Sequence, residues 1–176
     1  GLHFTEELMQ QIGPDNTSFL SLHVGAGTFK PVVAANALDH KMHAETFGIK
    51  VMEIERIIDA LESGKRIVVV GTTGSRTLES LYWCGVKAIL GISPTNGEGY
   101  SLGQKEWTQY VDKAAHISTT EALKAVIGNK SSNDVVTGKT SLMIVPHSYD
   151  FKVVNELITN FHAPDSTLML LVSAFL

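Results

Sequence analysis

Cysteine occurs once in 176 residues, at Cys84, which excludes an internal disulfide framework and a cysteine zinc cluster. Cys84 stands in the apolar, helix-like stretch Leu81-Tyr82-Trp83-Cys84, so a reduced, cytoplasmic setting is expected. Long hydrophobic runs are also missing. Leu168 to Leu176, interrupted by Ser173, falls far short of the roughly 20 residues that span a bilayer, and no charged segment precedes an apolar stretch as in a secretory leader. Positive charge is not in excess: fourteen Lys and Arg against eighteen Asp and Glu leave a net charge of −4. That argues against a nonspecific nucleic-acid binder held by phosphate neutralisation, while leaving room for a local basic surface. Low-complexity segments and internal repeats are absent, and 44% hydrophobic residues suffice for a buried core. One domain over residues 1–176 is expected. A start at Gly1 without Met and a stop inside the final apolar run lead us to expect a chain cut at both ends.

Thr5 followed by Glu6, Glu7, Leu8, Met9 and Ile12 predicts a short helix capped by Thr5 and stopped by Gly13-Pro14. Phe19 to Val24 reads as a strand that delivers His23 and the turn Gly25-Ala26-Gly27-Thr28. Val51, Ile54, Ile57, Ile58 and Leu61 recur at helical spacing and predict an amphipathic helix ending at Gly64. Ile67 to Val70 is a β-branched run of the kind buried in parallel sheets, and Gly71 to Ser75 reads as a loop leading into a helix from Arg76 to Trp83. Further along, Val86 to Ile92 reads as a strand, Ser93 to Gly103 as a loop, Thr120 to Ile127 as a helix, and Asn129 to Gly138 as a flexible loop or lid. Strands are expected over Ser141 to Val145 and Leu157 to Phe161, with Pro164 and Ser166 opening a last helix from Thr167. Alternating strands and helices predict an α/β fold with a mainly parallel sheet flanked by helices in three αβα layers. Sites in such folds lie at the carboxyl ends of strands.

Three polar segments stand at such positions. Gly25-Ala26-Gly27-Thr28 is no dinucleotide fingerprint by itself, and it reads either as an ordinary turn or, with His23, as a close backbone approach to a ligand. His40-Lys41-Met42-His43-Ala44-Glu45 packs two imidazoles, an ammonium and a carboxylate into six residues, enough for a proton acceptor, a proton donor and an anion ligand. An extended backbone would set His43 and Glu45 on one face. A metal site and a solvated surface cluster are alternatives, and we expect no metal. Asn160-Phe161-His162-Ala163-Pro164-Asp165-Ser166 joins a strand end to a helix start, where Ser166 or Asp165 is most simply a cap, whereas Asn160 and His162 suit a site. A fourth segment, Thr72, Thr73 and Ser75 before a helix, offers hydroxyls and backbone N–H groups to a phosphate or carboxylate. Arg76 either pairs with that anion or forms an ion pair with Glu79 on its own helix. His116 and His147 receive no role.

Taken in order, Gly1-Leu2-His3-Phe4-Thr5, Leu22 through Phe29, His40-Lys41-Met42-His43, Gly71-Thr72-Thr73, Arg76-Thr77-Leu78-Glu79-Ser80 and Phe151-Lys152-Val153-Val154 through His162 resemble the S-adenosylmethionine:tRNA ribosyltransferase-isomerase family of queuosine biosynthesis. Residues 91–140 match least and are expected to form a divergent loop and helix insertion within the domain. The resemblance implies a β-barrel domain outside this chain. It also implies transfer and isomerisation of the ribosyl group of S-adenosylmethionine onto 7-aminomethyl-7-deazaguanine in the tRNA anticodon, giving epoxyqueuosine, adenine and methionine. S-adenosylmethionine is then a co-substrate and not a true cofactor, tRNA is the partner, and no membrane is involved. Such chemistry assigns His43 or His23 as base among the catalytic candidates His43, His23, Glu45, Lys41 and His162. Gly25, Gly27, Thr28, His40, Thr72, Thr73, Arg76 and Asn160 are the binding candidates. A related S-adenosylmethionine-using transferase with another acceptor, and a non-catalytic nucleotide-binding scaffold, are the alternatives.

Overall fold

In a computed structural model of the chain, residues 4–25, 39–92, 94, 99–164 and 166–176 are described. Helix α1 spans Glu6–Ile12, with the Thr5 hydroxyl accepting the Leu8 N–H at 3.2 Å as its N-cap. Strand β1 (Leu20–His23) follows, then β2 (Glu45–Lys50) running straight into α2 (Val51–Glu62), β3 (Val68–Val70) and the long α3 (Thr72–Ile89). The second half contains β4 (Tyr100–Leu102), the short α4 (Val111–Ala114), α5 (Thr119–Ile127), β5 (Val135–Thr140), β6 (Glu156–Ile158) and α6 (Thr167–Phe175). Residues 91–140 thus supply β4, α4, α5 and β5.

The α/β class is as expected, but the sheet is mixed and not mainly parallel. Four strands lie in the order β1-β2-β5-β4, with β1 and β5 antiparallel to β2, and only β4 parallel to β5. A separate parallel pair joins β3 and β6. The physical reason lies in one-sided burial. Glu45, Phe47 and Ile49 of β2 are buried while Thr46 and Lys50 are exposed, the alternation of a strand with one face on a core, which antiparallel sheets accommodate. In β5 the inward positions fall to Val136, Gly138 and Thr140, so the segment read as a loop hides its strand behind small and polar residues. Ser141 to Val145, read as a strand, has no regular ladder, although residues 142–145 are buried and Ser141 and Met143 donate to Leu102 and Gln104.

Helices α2, α3 and α5 stand against the inward face. Helix α3 is buried from Thr72 to Val86 except at Thr73. It absorbs both the expected Gly71–Ser75 loop and most of the expected Val86–Ile92 strand, because its glycines mark close packing and not turns. A Cβ on Gly85 would lie 2.0 Å from the Ala122 carbonyl oxygen, so α3 and α5 touch backbone to backbone there. Cys84 beside it is buried and its thiol is pushed up to about 12, leaving an inert core residue. The β3 run, expected to be covered, buries only Val69, while Val68 and Val70 are 47% and 51% exposed.

Glu79 stands inside this core. Its carboxylate accepts the N–H groups of Lys152, Val153 and Val154 at 2.8 to 3.0 Å and the Tyr149 hydroxyl at 2.9 Å. Burial pushes its pKa up, and these four donors pull against that rise. Tyr149 in turn accepts from Trp83 Nε1 at 2.8 Å, within a chain of ring contacts running from Tyr82 through Trp83, Trp107, Tyr149 and Phe151 to Phe175. Gly85→Ala is expected to force α3 and α5 apart at a cost of about 1–3 kcal/mol, read as a lowered urea midpoint. An unchanged midpoint would contradict the close crossing.

Candidate active site around the start of helix α3

At the carboxyl end of β3 the chain turns through Gly71, whose φ of 92° suits glycine, and enters α3 at Thr72. The Gly71 N–H donates to the Ile158 carbonyl at 2.8 Å, fastening this helix start to the carboxyl end of the parallel neighbour β6. Thr72 and Thr73 therefore stand beside the segment carrying Thr159, Asn160 and His162. His162 Nε2 and Thr159 Oγ1 share a hydrogen bond of 2.9 Å, which sets the imidazole, while Asn160 is exposed. Among the described residues no side chain caps the N-terminus of α3, so its first N–H groups and the positive end of its dipole suit an anion. The Ser75 hydroxyl is buried there without a hydrogen-bond partner among the described residues.

One turn further on, Arg76 is buried and its Nη1 lies 3.1 Å from Glu45 Oε2. The other oxygen of Glu45 accepts the Gly25 N–H at 3.2 Å. Burial pulls the guanidinium below its usual pKa, and the Coulombic attraction and hydrogen bond of Glu45 raise it again. This pair joins the end of β1, the start of β2 and the second turn of α3. The Arg76 carbonyl accepts the Ser80 hydroxyl at 2.7 Å, and Ser80 reaches Thr140 of β5 at 2.7 Å. In place of the Arg76–Glu79 pair that the sequence offered as an alternative there are two separate buried anchors, Glu45 for Arg76 and the 152–154 backbone for Glu79.

The His40 to Met42 backbone is held by a side chain that sequence reasoning passed over. Gln104 donates to the His40 carbonyl at 2.6 Å and accepts the Met42 N–H at 3.0 Å, imitating a strand partner. Lys105 and Asp39 add an exposed ion pair of 2.8 Å. His40 is half-buried, whereas Lys41 and His43 are exposed. Glu45, which an extended backbone would set on one face with His43, is 2% exposed and belongs to the core.

His23 lies elsewhere. It pairs in register with Thr46, so it occupies the face of the sheet opposite Glu45, where it lines an open groove of about 520 Å³. The structure thus gathers Gly25, Glu45 and Arg76 in one bonded set, and Thr72 and Thr73 with Asn160 and His162 around the strand ends. The sheet separates His23 from them. Gly27, Thr28 and Asp165 lie outside the described residues. Among the described residues, no three His, Cys, Asp or Glu side chains gather where they could share a metal ion. Glu79 and Gln104 are the structural supports that sequence reasoning missed. For Glu79 the available signal was a lone charge beside the apolar run Leu81-Tyr82-Trp83-Cys84. Arg76→Met, by removing one partner of a buried pair, is expected to cost about 3–5 kcal/mol in urea unfolding. A cost below about 1 kcal/mol would mean that the pair is exposed to water in solution.

A family model described as queuosine biosynthesis protein matches residues 1–176. The S-adenosylmethionine:tRNA ribosyltransferase-isomerase of Halothermothrix orenii is 38% identical over 99% of this chain, a match that covers 38% of that protein. The enzyme of the same name from Thermosipho melanesiensis is 36% identical over 99% of this chain and 39% of its own length. A crystal structure of S-adenosylmethionine tRNA ribosyltransferase from Thermotoga maritima aligns with a TM-score of 0.52 and 28% identity, over 99% of this chain and 40% of that one. The chain therefore spans about two fifths of the length of these relatives.

Proposed function

The chain belongs to the family of queuosine biosynthesis proteins, and from that premise we propose that it is the α/β catalytic portion of an S-adenosylmethionine:tRNA ribosyltransferase-isomerase. In this reading S-adenosylmethionine is a substrate that gives up its ribosyl group, and the acceptor is the aminomethyl group of 7-aminomethyl-7-deazaguanine in a tRNA anticodon. The products are epoxyqueuosine, adenine and methionine. No helix among the described residues is long and apolar enough to cross a membrane, and the reaction is assigned to the cytoplasm, with its tRNA.

The observation that carries this reading is the convergence on the first two turns of α3. Three requirements follow from the chemistry: a base for the proton beside the sulfonium, polar groups for the departing adenine, and a seat for the methionine carboxylate. The uncapped start of α3, with Thr72 and Thr73, seats the carboxylate. Across the Gly71–Ile158 hydrogen bond, Asn160 and His162 orient the substrate. Glu45 fixes Arg76 and the Gly25 N–H together, so Arg76 is a positioning residue whose charge is already neutralised.

His43 takes the base role in preference to His23. It lies two residues before Glu45, the first residue of β2, and is exposed and accessible. Gln104 holds the backbone immediately before it, and Lys41 and His40 flank it with positive or hydrogen-bonding groups.

A full-length version incubated with S-adenosylmethionine and tRNA bearing the deazaguanine base is expected to release adenine and form an epoxide-containing nucleoside, both visible by mass spectrometry. Adenine without a tRNA product would point to another acceptor. His43→Ala is expected to lower turnover by about 10²-fold or more with an unchanged unfolding midpoint, the usual loss on removing a general base. Near-normal product formation by that variant would end the assignment.

A further inference from the structure

The outward face of the four-stranded sheet takes no part in the arrangement around α3. Alternation places Ser21 and His23 of β1, Thr46, Gly48 and Lys50 of β2, and Val135, Thr137 and Lys139 of β5 on this side. None of these outward residues is acidic, although the whole chain carries a net charge of −4. The acid of β2, Glu45, faces the core, and Glu53, the carboxylate that lines the groove, is buried on α2. Lys50 and Lys139 are exposed and engage in no ion pair among the described residues. Gly48 leaves the middle of this face without a side chain. The groove of about 520 Å³ is within the range that small ligands occupy, and Phe19, 67% exposed, stands on its lining.

Cations for phosphates, hydroxyls for sugar and phosphate oxygens, and an exposed ring for an unstacked base form the set that binds single-stranded RNA on a sheet. We infer that the outward face of β1, β2 and β5 seats a single-stranded stretch of the acceptor RNA. Lys50 and Lys139 neutralise its phosphates, His23, Thr46 and Thr137 hydrogen-bond its ribose or phosphate oxygens, and Phe19 stacks on a base. The inference rests on the proposed tRNA acceptor and names the surface that receives it, on the opposite side of the sheet from the Glu45–Arg76 pair.

The test uses the full-length protein and a fluorescent anticodon stem-loop RNA, with affinity measured over a salt series. K50E/K139E is expected to weaken binding at least tenfold at about 0.1 M salt. The slope of log K against log salt should fall by about 1.4, about 0.7 for each single-strand phosphate that the lysines no longer neutralise. S-adenosylmethionine binding by calorimetry and the unfolding midpoint should stay as in the parent. Should K50E/K139E not fold, K50Q/K139Q reads the same loss of slope. Unchanged RNA affinity and slope in a folded variant would overturn the inference, including the case in which a protein surface covers this face instead. A parent protein that binds RNA through these lysines yet never releases adenine would end the ribosyltransferase reading and leave the RNA face standing.

Discussion

The buried carboxylate of Glu79 is the interaction on which the rest of the molecule depends. It gathers three successive backbone N–H groups and a tyrosine hydroxyl, which fixes residues 149–154 against the middle of α3. From there the chain passes to Asn155, whose side chain accepts the Ile67 N–H at 2.8 Å, and into β6. Strand β6 pairs with β3, and its end accepts the N–H of Gly71, where α3 begins. The circuit closes on itself: the middle of α3 holds the strand that holds the start of α3. Hydrogen bonds to charged groups contribute about 1.5–3 kcal/mol each, and an unpaired buried N–H costs about as much, so removing Glu79 would loosen every element of the ring together.

Arg76, one turn earlier, does for the four-stranded sheet what Glu79 does for the parallel pair. Its pairing with Glu45 ties β2 and the Gly25 turn to the same helix. Two buried charges of opposite sign, on neighbouring turns of one helix and with separate partners, thus register the two sheets on α3. A buried ion pair is poor evidence for net stability, since desolvation offsets most of the attraction. Its value here is positional, because it fixes where the uncapped N-terminus of α3 stands relative to the His40–His43 segment.

Periodicity and capping were legible where they acted locally. Thr5, the Val51–Leu61 stripe, the α5 segment and Ser166 each declared an element whose burial or cap needs only neighbouring residues. What the sequence concealed was set by distant partners. Gly138 reads as a loop residue, and Gly85 falls between an expected helix and an expected strand, because their true function, close contact with Phe47 and Ala122, lies far away in the chain. Polar β5 did not read as a strand, and Gln104 did not announce a backbone clamp on residues 40–42. Among the candidate residues, the motifs named Gly25, Glu45, Arg76, Thr72, Thr73, Asn160 and His162 but not which of them stand together. Only the fold places His23 on the far side of the sheet and buries Glu45.

Hydrogen–deuterium exchange of a full-length protein with and without S-adenosylmethionine tests most directly whether the donor binds at the start of α3. Protection is expected at residues 71–76 and 159–162, and little change on the outward strand positions around Lys50 and Lys139. Protection confined to the outward face, with residues 71–76 exchanging as in the free protein, would contradict it.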